Sequence, residues 1–350
     1  MKTENITLSA NEKISLISNF STMLAAGIPI LEVVDSLLED AKNNQKKVLQ
    51  TLRDDIMQGQ HVHVSFAKFP KVFNKVTIQI LKASEEAGTL EVTLRDLKEE
   101  IRKEAEFTDK IKSALAYPFF IFAVFGGVLL LMLTFVIPRI ASVFLKLKVE
   151  LPLPTVILIA LSNFILTYKL LAFFGVILIG TGLFYLYKTK KELFTQVLSS
   201  MPVVSDLVLQ MDLTRFSRSL FLLLTSGIPI TTALELTENT VTRGDVKKAI
   251  AHAQQVVLGG KKLSEGFRET KYVIPSIMIK IIEAGERSGS LDKSMQDISE
   301  YLDYQVSTKL KTVTALIEPV MLVVVGVLIG GMMLAIIAPI YGLISQVASH

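Results

Sequence analysis

The chain has 350 residues, 50% of them hydrophobic, and a mean hydropathy of +0.48, which is more apolar than soluble domains sustain. Charged residues still make up 20%, too many for a wholly embedded protein, so soluble regions must alternate with membrane spans. Cysteine and tryptophan are absent, which excludes disulfides, thiolate metal sites and a cysteine nucleophile, and a net charge of +4 without a basic, aromatic-interleaved stripe argues against nucleic acid.

Met1 to Asn11 is polar and lacks an apolar core ahead of a cleavage site, so the N-terminus is expected to stay in the cytoplasm. Residues 1–115 read as a cytoplasmic helical domain. Apolar residues recur there at three and four, as in Leu16, Phe20, Met23 and Leu24, and again in Leu90, Leu94, Leu97 and Ile101. Gly27 and Pro29 predict a sharp corner, with the glycine in a left-handed cap and the proline in the first turn of the next helix. Gly88-Thr89 repeats that logic as a glycine stop followed by a hydroxyl residue suited to cap. No glycine or proline interrupts the chain from Leu90 to Pro118, so this helix should run directly into the first span.

That span is expected over 116–138, where Phe119 to Val136 is apolar throughout and long enough to cross a bilayer. Residues 139–168 read as an external loop. Within it, Leu151 to Thr167 is uncharged but broken by Pro152, Pro154, Ser162 and Asn163, and reads as an interfacial helix with a fourth span as the alternative. A second span is expected over 169–187, with Tyr168, Tyr185 and Tyr187 at its ends. Residues 188–315 form a second cytoplasmic helical domain, 316–338 a third span and 339–350 an external tail. Arg139, Lys146, Lys148 and Lys169 are the only basic residues between the first two spans, whereas Lys98, Arg102, Lys103, Lys110, Lys112, Lys188, Lys190, Lys191, Lys309 and Lys311 flank the other side. The positive-inside rule therefore places both domains in the cytoplasm.

The two domains are copies. Ala25 to Ile30 recurs as Thr225 to Ile230 at an offset of 200, and after one inserted residue Phe66, Ala83, Glu85, Gly88, Leu90 and Asp96 align with Phe267, Ala284, Glu286, Gly289, Leu291 and Asp297. The match continues from Pro118 to Pro319 and from Pro138 to Pro339, so the duplicated unit is a domain plus the span that follows it.

The Gly-Ile-Pro-Ile corners at Gly27 and Gly227, the Gly-Glu-x-x-Gly-x-Leu pattern from Gly285 to Leu291, Glu318-Pro319 and the three-span order resemble the type II secretion F family, the platform proteins of type IV pilus and type II secretion machines. The first copy departs from the pattern with Ser84 before Glu85 and Tyr117 before Pro118. The resemblance implies an all-α membrane protein with two homologous helical-bundle domains and three transmembrane helices, resident in a bacterial inner membrane. It implies a homo-oligomer that meets a cytoplasmic hexameric assembly ATPase, pilin or pseudopilin subunits and other inner-membrane assembly proteins. It implies no cofactor and no catalysis; a small oligomeric transporter or membrane enzyme is the alternative.

Among candidate sites, Glu85, Gly88, Leu90, Glu286, Gly289 and Leu291 form a duplicated turn where a partner could press on a span-bearing helix. Each acid precedes a helix-ending glycine, an unfavourable place for negative charge, so an internal cap or salt bridge is the competing reading. Glu318, Pro319, Tyr117 and Pro118 mark the membrane entrances, with Glu318 either lining a bundle interior or lying at the interface. Gly27, Pro29, Gly227 and Pro229 are structural corners. Gly259-Gly260-Lys261 lacks the first glycine of a phosphate loop, having Gln255 there, and reads as a helix stop. His61 and His63 are spaced as on a strand, and the second copy has Lys262 and Ser264, which argues against a metal.

Overall fold

The computed structural model describes residues 5–147, 153–168, 202–270 and 272–348. The described residues are helical, without strands. The first repeat comprises α1 (Ala10–Ala25), α2 (Ile30–Asp40), α3 (Asn43–Met57), α4 (Val62–Ala67), α5 (Lys75–Glu86) and the start of α6 (Leu90–Leu131). A π-helical turn (Met132–Val136) leads to α7 (Ile137–Leu147), and α8 (Leu153–Thr167) follows. The second repeat comprises α9 (Pro202–Thr225), α10 (Ile230–Glu238), α11 (Gly244–Leu258), α12 (Leu263–Arg268), α13 (Ser276–Ser288) and the start of α14 (Leu291–Ala348). The second span expected over 169–187 and the domain boundary at 188 lie outside the described residues.

Local chemistry sets these ends. Ser9 and Glu12 form a reciprocal capping box at α1, with Glu12 accepting from the Ser9 amide at 2.7 Å and Ser9 Oγ from the Glu12 amide at 3.3 Å. Among the described residues six glycines adopt positive φ, and they fall in three equivalent pairs: Gly27 and Gly227, Gly59 and Gly260, Gly88 and Gly289. Each ends a helix with the amide of the following residue folded back, as from Ile28 to the Met23 carbonyl at 3.1 Å and from Lys261 to Val256 at 3.2 Å. Gly260 is therefore a helix stop, as its sequence suggested. The corner prolines differ slightly from expectation: Pro29 and Pro229 are N-caps of α2 and α10, one residue before the first turn.

Both repeats lie in one compact unit, residues 1–110 with 195–307. The first core gathers Leu16, Phe20, Leu49, Leu52, Phe66, Phe73, Leu81 and Leu94; the second gathers Phe216, Leu220, Ile250, Phe267, Ile282 and Met295. Equivalent positions keep volume by exchange, with Leu16 and Phe20 in one repeat and Phe216 and Leu220 in the other. Phe66 stacks on Phe73 at 4.2 Å, while its equivalent Phe267 meets Phe216 edge-on at 5.8 Å.

The second unit, residues 111–194 with 308–350, contains the apolar parts of α6 and α14. Among the described residues, two helices are long and apolar enough to cross a membrane, Leu90–Val143 and Leu291–Gly331. Their apolar side chains face outward, among them Phe119 at 76% and Leu322 at 67% exposure, which is a stable arrangement only in lipid. As the sequence predicted, α6 passes from Leu90 through Pro118 without a break. The helices touch where Thr314 Oγ1 donates to the Ala114 carbonyl at 3.3 Å.

Pro138 explains the π turn and the role of α8. The Ile137 amide bonds to the Met132 carbonyl, so the next carbonyl, Leu133, would require a donor from residue 138, which as proline has none. The hydroxyl of Ser162 on α8 supplies it, and both residues are buried. Buried away from water, an orphan carbonyl costs roughly 1–3 kcal/mol, so Ser162 and Pro138 act as a matched pair.

Candidate functional site

The duplicated turn between α5 and α6, and between α13 and α14, is built identically at the backbone. Gly88 and Gly289 sit at φ of +70° and +72°, and the amides of Thr89 and Ser290 return to the carbonyls of Ser84 and Gly285 at 2.8 and 2.9 Å. Both glycines are exposed at the crest, while Leu90 and Leu291 pack partly into their respective cores.

The two acids of the turn point inward. Glu85 accepts from the amides of Val62 and His63 at 2.7 and 3.0 Å, and Glu286 accepts from Leu263 and Ser264. Each carboxylate thus caps the N-terminus of a short helix, α4 or α12, 22 or 23 residues away in sequence. The unfavourable charge at the end of α5 or α13 is compensated by the favourable end of another helix. A side chain from the capped helix completes each cap: His63 Nδ1 in the first repeat, and Ser264 Oγ at 2.6 Å in the second. A carboxylate only accepts, so His63 carries its proton on Nδ1.

His61, His63 and Glu85 bring their ligand atoms within 4.8 Å of one another. The two-residue spacing that suggested a strand is instead the N-cap and second position of α4, which lets both rings reach Glu85. Because the second repeat builds the same cap with Lys262 and Ser264 in those places, the shared purpose of the cluster is to hold α4 to the turn.

The sequence differences between the copies have local causes. A Cβ at Gly285 would lie 2.8 Å from the Cβ of Ser294 and 3.2 Å from the Leu291 Cα, so α13 and α14 approach too closely for a side chain. In the first copy Ser84 fits, buried, with its hydroxyl donating to the Leu81 carbonyl at 2.9 Å. Gly285→Ser, which copies the first repeat into the second, is expected to lower stability by about 1–3 kcal/mol through overpacking. An unchanged melting temperature would show that the helices part freely. Tyr117, Glu318 and Pro319 are exposed on α6 and α14, and Pro118 is buried.

One feature escaped sequence reasoning. Arg218 of α9, nine-tenths buried, lies 3.0 Å from Glu100 and Glu104 of α6 and 3.8 Å from Asp303 of α14, and it stands over the Phe107 ring at 5.6 Å. Glu100 Oε1 receives this charge without a hydrogen bond of good angle. Burial raises the Glu100 pKa above the usual carboxylate range, and Arg218 opposes the rise. None of these charges has a like partner at the equivalent position, so periodicity gave no signal for them.

Comparison with known proteins coincides with the repeats. The profile of the family described as type II secretion system (T2SS), protein F matches residues 16–138 and 216–339. The type IV pilus assembly protein PilC of Myxococcus xanthus is 29% identical over 327 residues, covering 93% of this chain and 78% of that protein. PilC of Thermus thermophilus is 28% identical over 336 residues, covering 94% and 81%. The type II secretion system protein F of Pseudomonas aeruginosa is 27% identical over 341 residues, covering 96% and 84%.

Proposed function

Because the chain belongs to the type II secretion system protein F family, we propose that it is the inner-membrane platform of a type IV pilus or type II secretion machine. In this role it couples a cytoplasmic hexameric ATPase to the insertion of pilin or pseudopilin subunits, working as a homo-oligomer. The observation that carries this reading is the pair of helices that each start in a helical repeat and continue as apolar, outward-facing stretches, α6 from Leu90 and α14 from Leu291. A push on the turn at Gly88 or Gly289 is passed along such a helix. Glu85 and Glu286 serve the turn by fastening it to α4 and α12. No observation favours the transporter reading.

Deleting the gene should abolish pili or protein secretion in the host, and restoration by this chain alone should recover them. A deletion strain with normal pili and normal secretion would overturn the reading. The topology that goes with it has the N-terminus and both repeats in the cytoplasm and residues 139–168 outside. In a chain free of native cysteine, Lys261→Cys should resist an impermeant maleimide in intact cells, while Ser142→Cys should react. Reaction at position 261 from outside would invert the topology.

A further inference from the structure

The contact between the repeats is head to tail. Val76 and Ile80 of α5 are buried in the core of the second repeat, where α5 meets α9 and α10. One helix further, Glu100 and Glu104 hold Arg218, and Glu104 also lies 3.6 Å from Arg215. Different faces of the two repeats therefore meet, the kind of contact that can propagate from copy to copy.

Duplication builds the first of these faces again on the second repeat. Val76, Ile80, Glu100 and Glu104 correspond, at the offset of 201, to Ile277, Ile281, Tyr301 and Gln305. There the face is open: Ile277 is 49% and Tyr301 45% exposed, Tyr304 beside them is 69% exposed, and a cleft of about 140 Å³ lies among Ile277, Ile281, Tyr301 and Gln305. The second face is likewise repeated on α1, where Ser15 and Ser18 stand in the places of Arg215 and Arg218. Ser15 is exposed and Ser18 half-buried.

The chemistry of the two open faces is matched. Within the chain, acids on one side meet arginines on the other; on the open faces, Tyr301 and Gln305 are neutral and so are Ser15 and Ser18. Had only one side kept its charge, docking would bury it unpaired, at a cost that forbids the contact. We propose that the α13–α14 face of one chain docks on α1 of a second copy, repeating between chains the contact that joins the repeats within one. This deepens the oligomeric reading above and rests on it. Since each repeat is followed by its own apolar helix, successive copies share one membrane, which directs the contact around an axis normal to it and toward a closed ring.

The test uses the full-length chain in detergent or nanodiscs, with oligomer mass as the readout. Tyr301→Glu should raise the dissociation constant about tenfold or more by placing an acid against Ser18. Adding Ser18→Arg should restore assembly, because the pair then reproduces Glu100 with Arg218. In membranes, Ser18→Cys with Tyr301→Cys should give disulfide-linked ladders, and Tyr301→Cys alone should give no dimer. A monomeric wild-type chain would overturn the oligomeric reading together with this face. Oligomers insensitive to Tyr301→Glu, loss without rescue by Ser18→Arg, or Tyr301→Cys linking to itself would overturn the face alone and leave it to a different protein partner.

Discussion

Arg218→Met is expected to destabilise the joined repeats by about 3–5 kcal/mol, the range for breaking a buried ion pair on one side. The methionine preserves most of the packing against Phe107 but leaves Glu100 buried with no cation of its own in contact, while Glu104, more exposed, is rehydrated. The loss should depend on pH in a defined direction. Burial, the larger influence, already raises the pKa of Glu100 in the folded state, and Arg218 lowers it. A carboxyl whose folded pKa is raised contributes stability below its unfolded pKa and loses that contribution as pH rises through the folded value. Removing Arg218 raises the folded pKa further. The deficit of the variant should therefore be greatest at neutral pH and shrink over the range from neutral to acidic pH, as Glu100 takes up its proton. Glu100→Gln in the same chain should recover part of the loss at neutral pH. Denaturation of the purified chain across this range measures both effects, and a loss that is equal at every pH would show that the pair contributes shape and not charge.

Glu286→Ala is expected to cost about 2 kcal/mol or more, because it strips the acceptor from two amides and one hydroxyl at the start of α12. Helix α12 has six residues and no side-chain cap from its own N-cap Lys262, so it has no substitute acceptor. Glu286→Gln should cost less, since one amide oxygen can still accept from Leu263. Glu85→Ala should act alike at α4, with His63 also losing its partner. If these acids are caps, binding of the cognate ATPase falls only as the folded fraction falls. By contrast, Arg287→Gln on the exposed crest, which gives up only a solvent-exposed pair with Glu283, should alter binding with little change in melting temperature. Glu286→Gln that melts like wild type yet loses the ATPase would make the acid a contact and reverse the assignment.

The linear sequence was sufficient for whatever depends on a residue and its near neighbours. Helix period, five of the six left-handed glycine stops (Gly59 was not read), the duplication and the apolar runs of α6 and α14 were legible, because backbone sterics and transfer into lipid act on local runs of residues. Even there, Pro29 and Pro229 fell one residue from their expected place, since a proline suits an N-cap as well as a first turn. Only the tertiary structure decided what long-range polar groups hold. Glu85 and Glu286 showed unfavourable positions in sequence but not their partners 22 and 23 residues back. Ser162 read as a break in an apolar run until the missing amide of Pro138 gave it a carbonyl to satisfy. Arg218 gathers acids from two other helices, a convergence that no single stretch encodes. A buried polar group takes its meaning from the group that replaces its water, and that partner is fixed by packing, not by spacing along the chain.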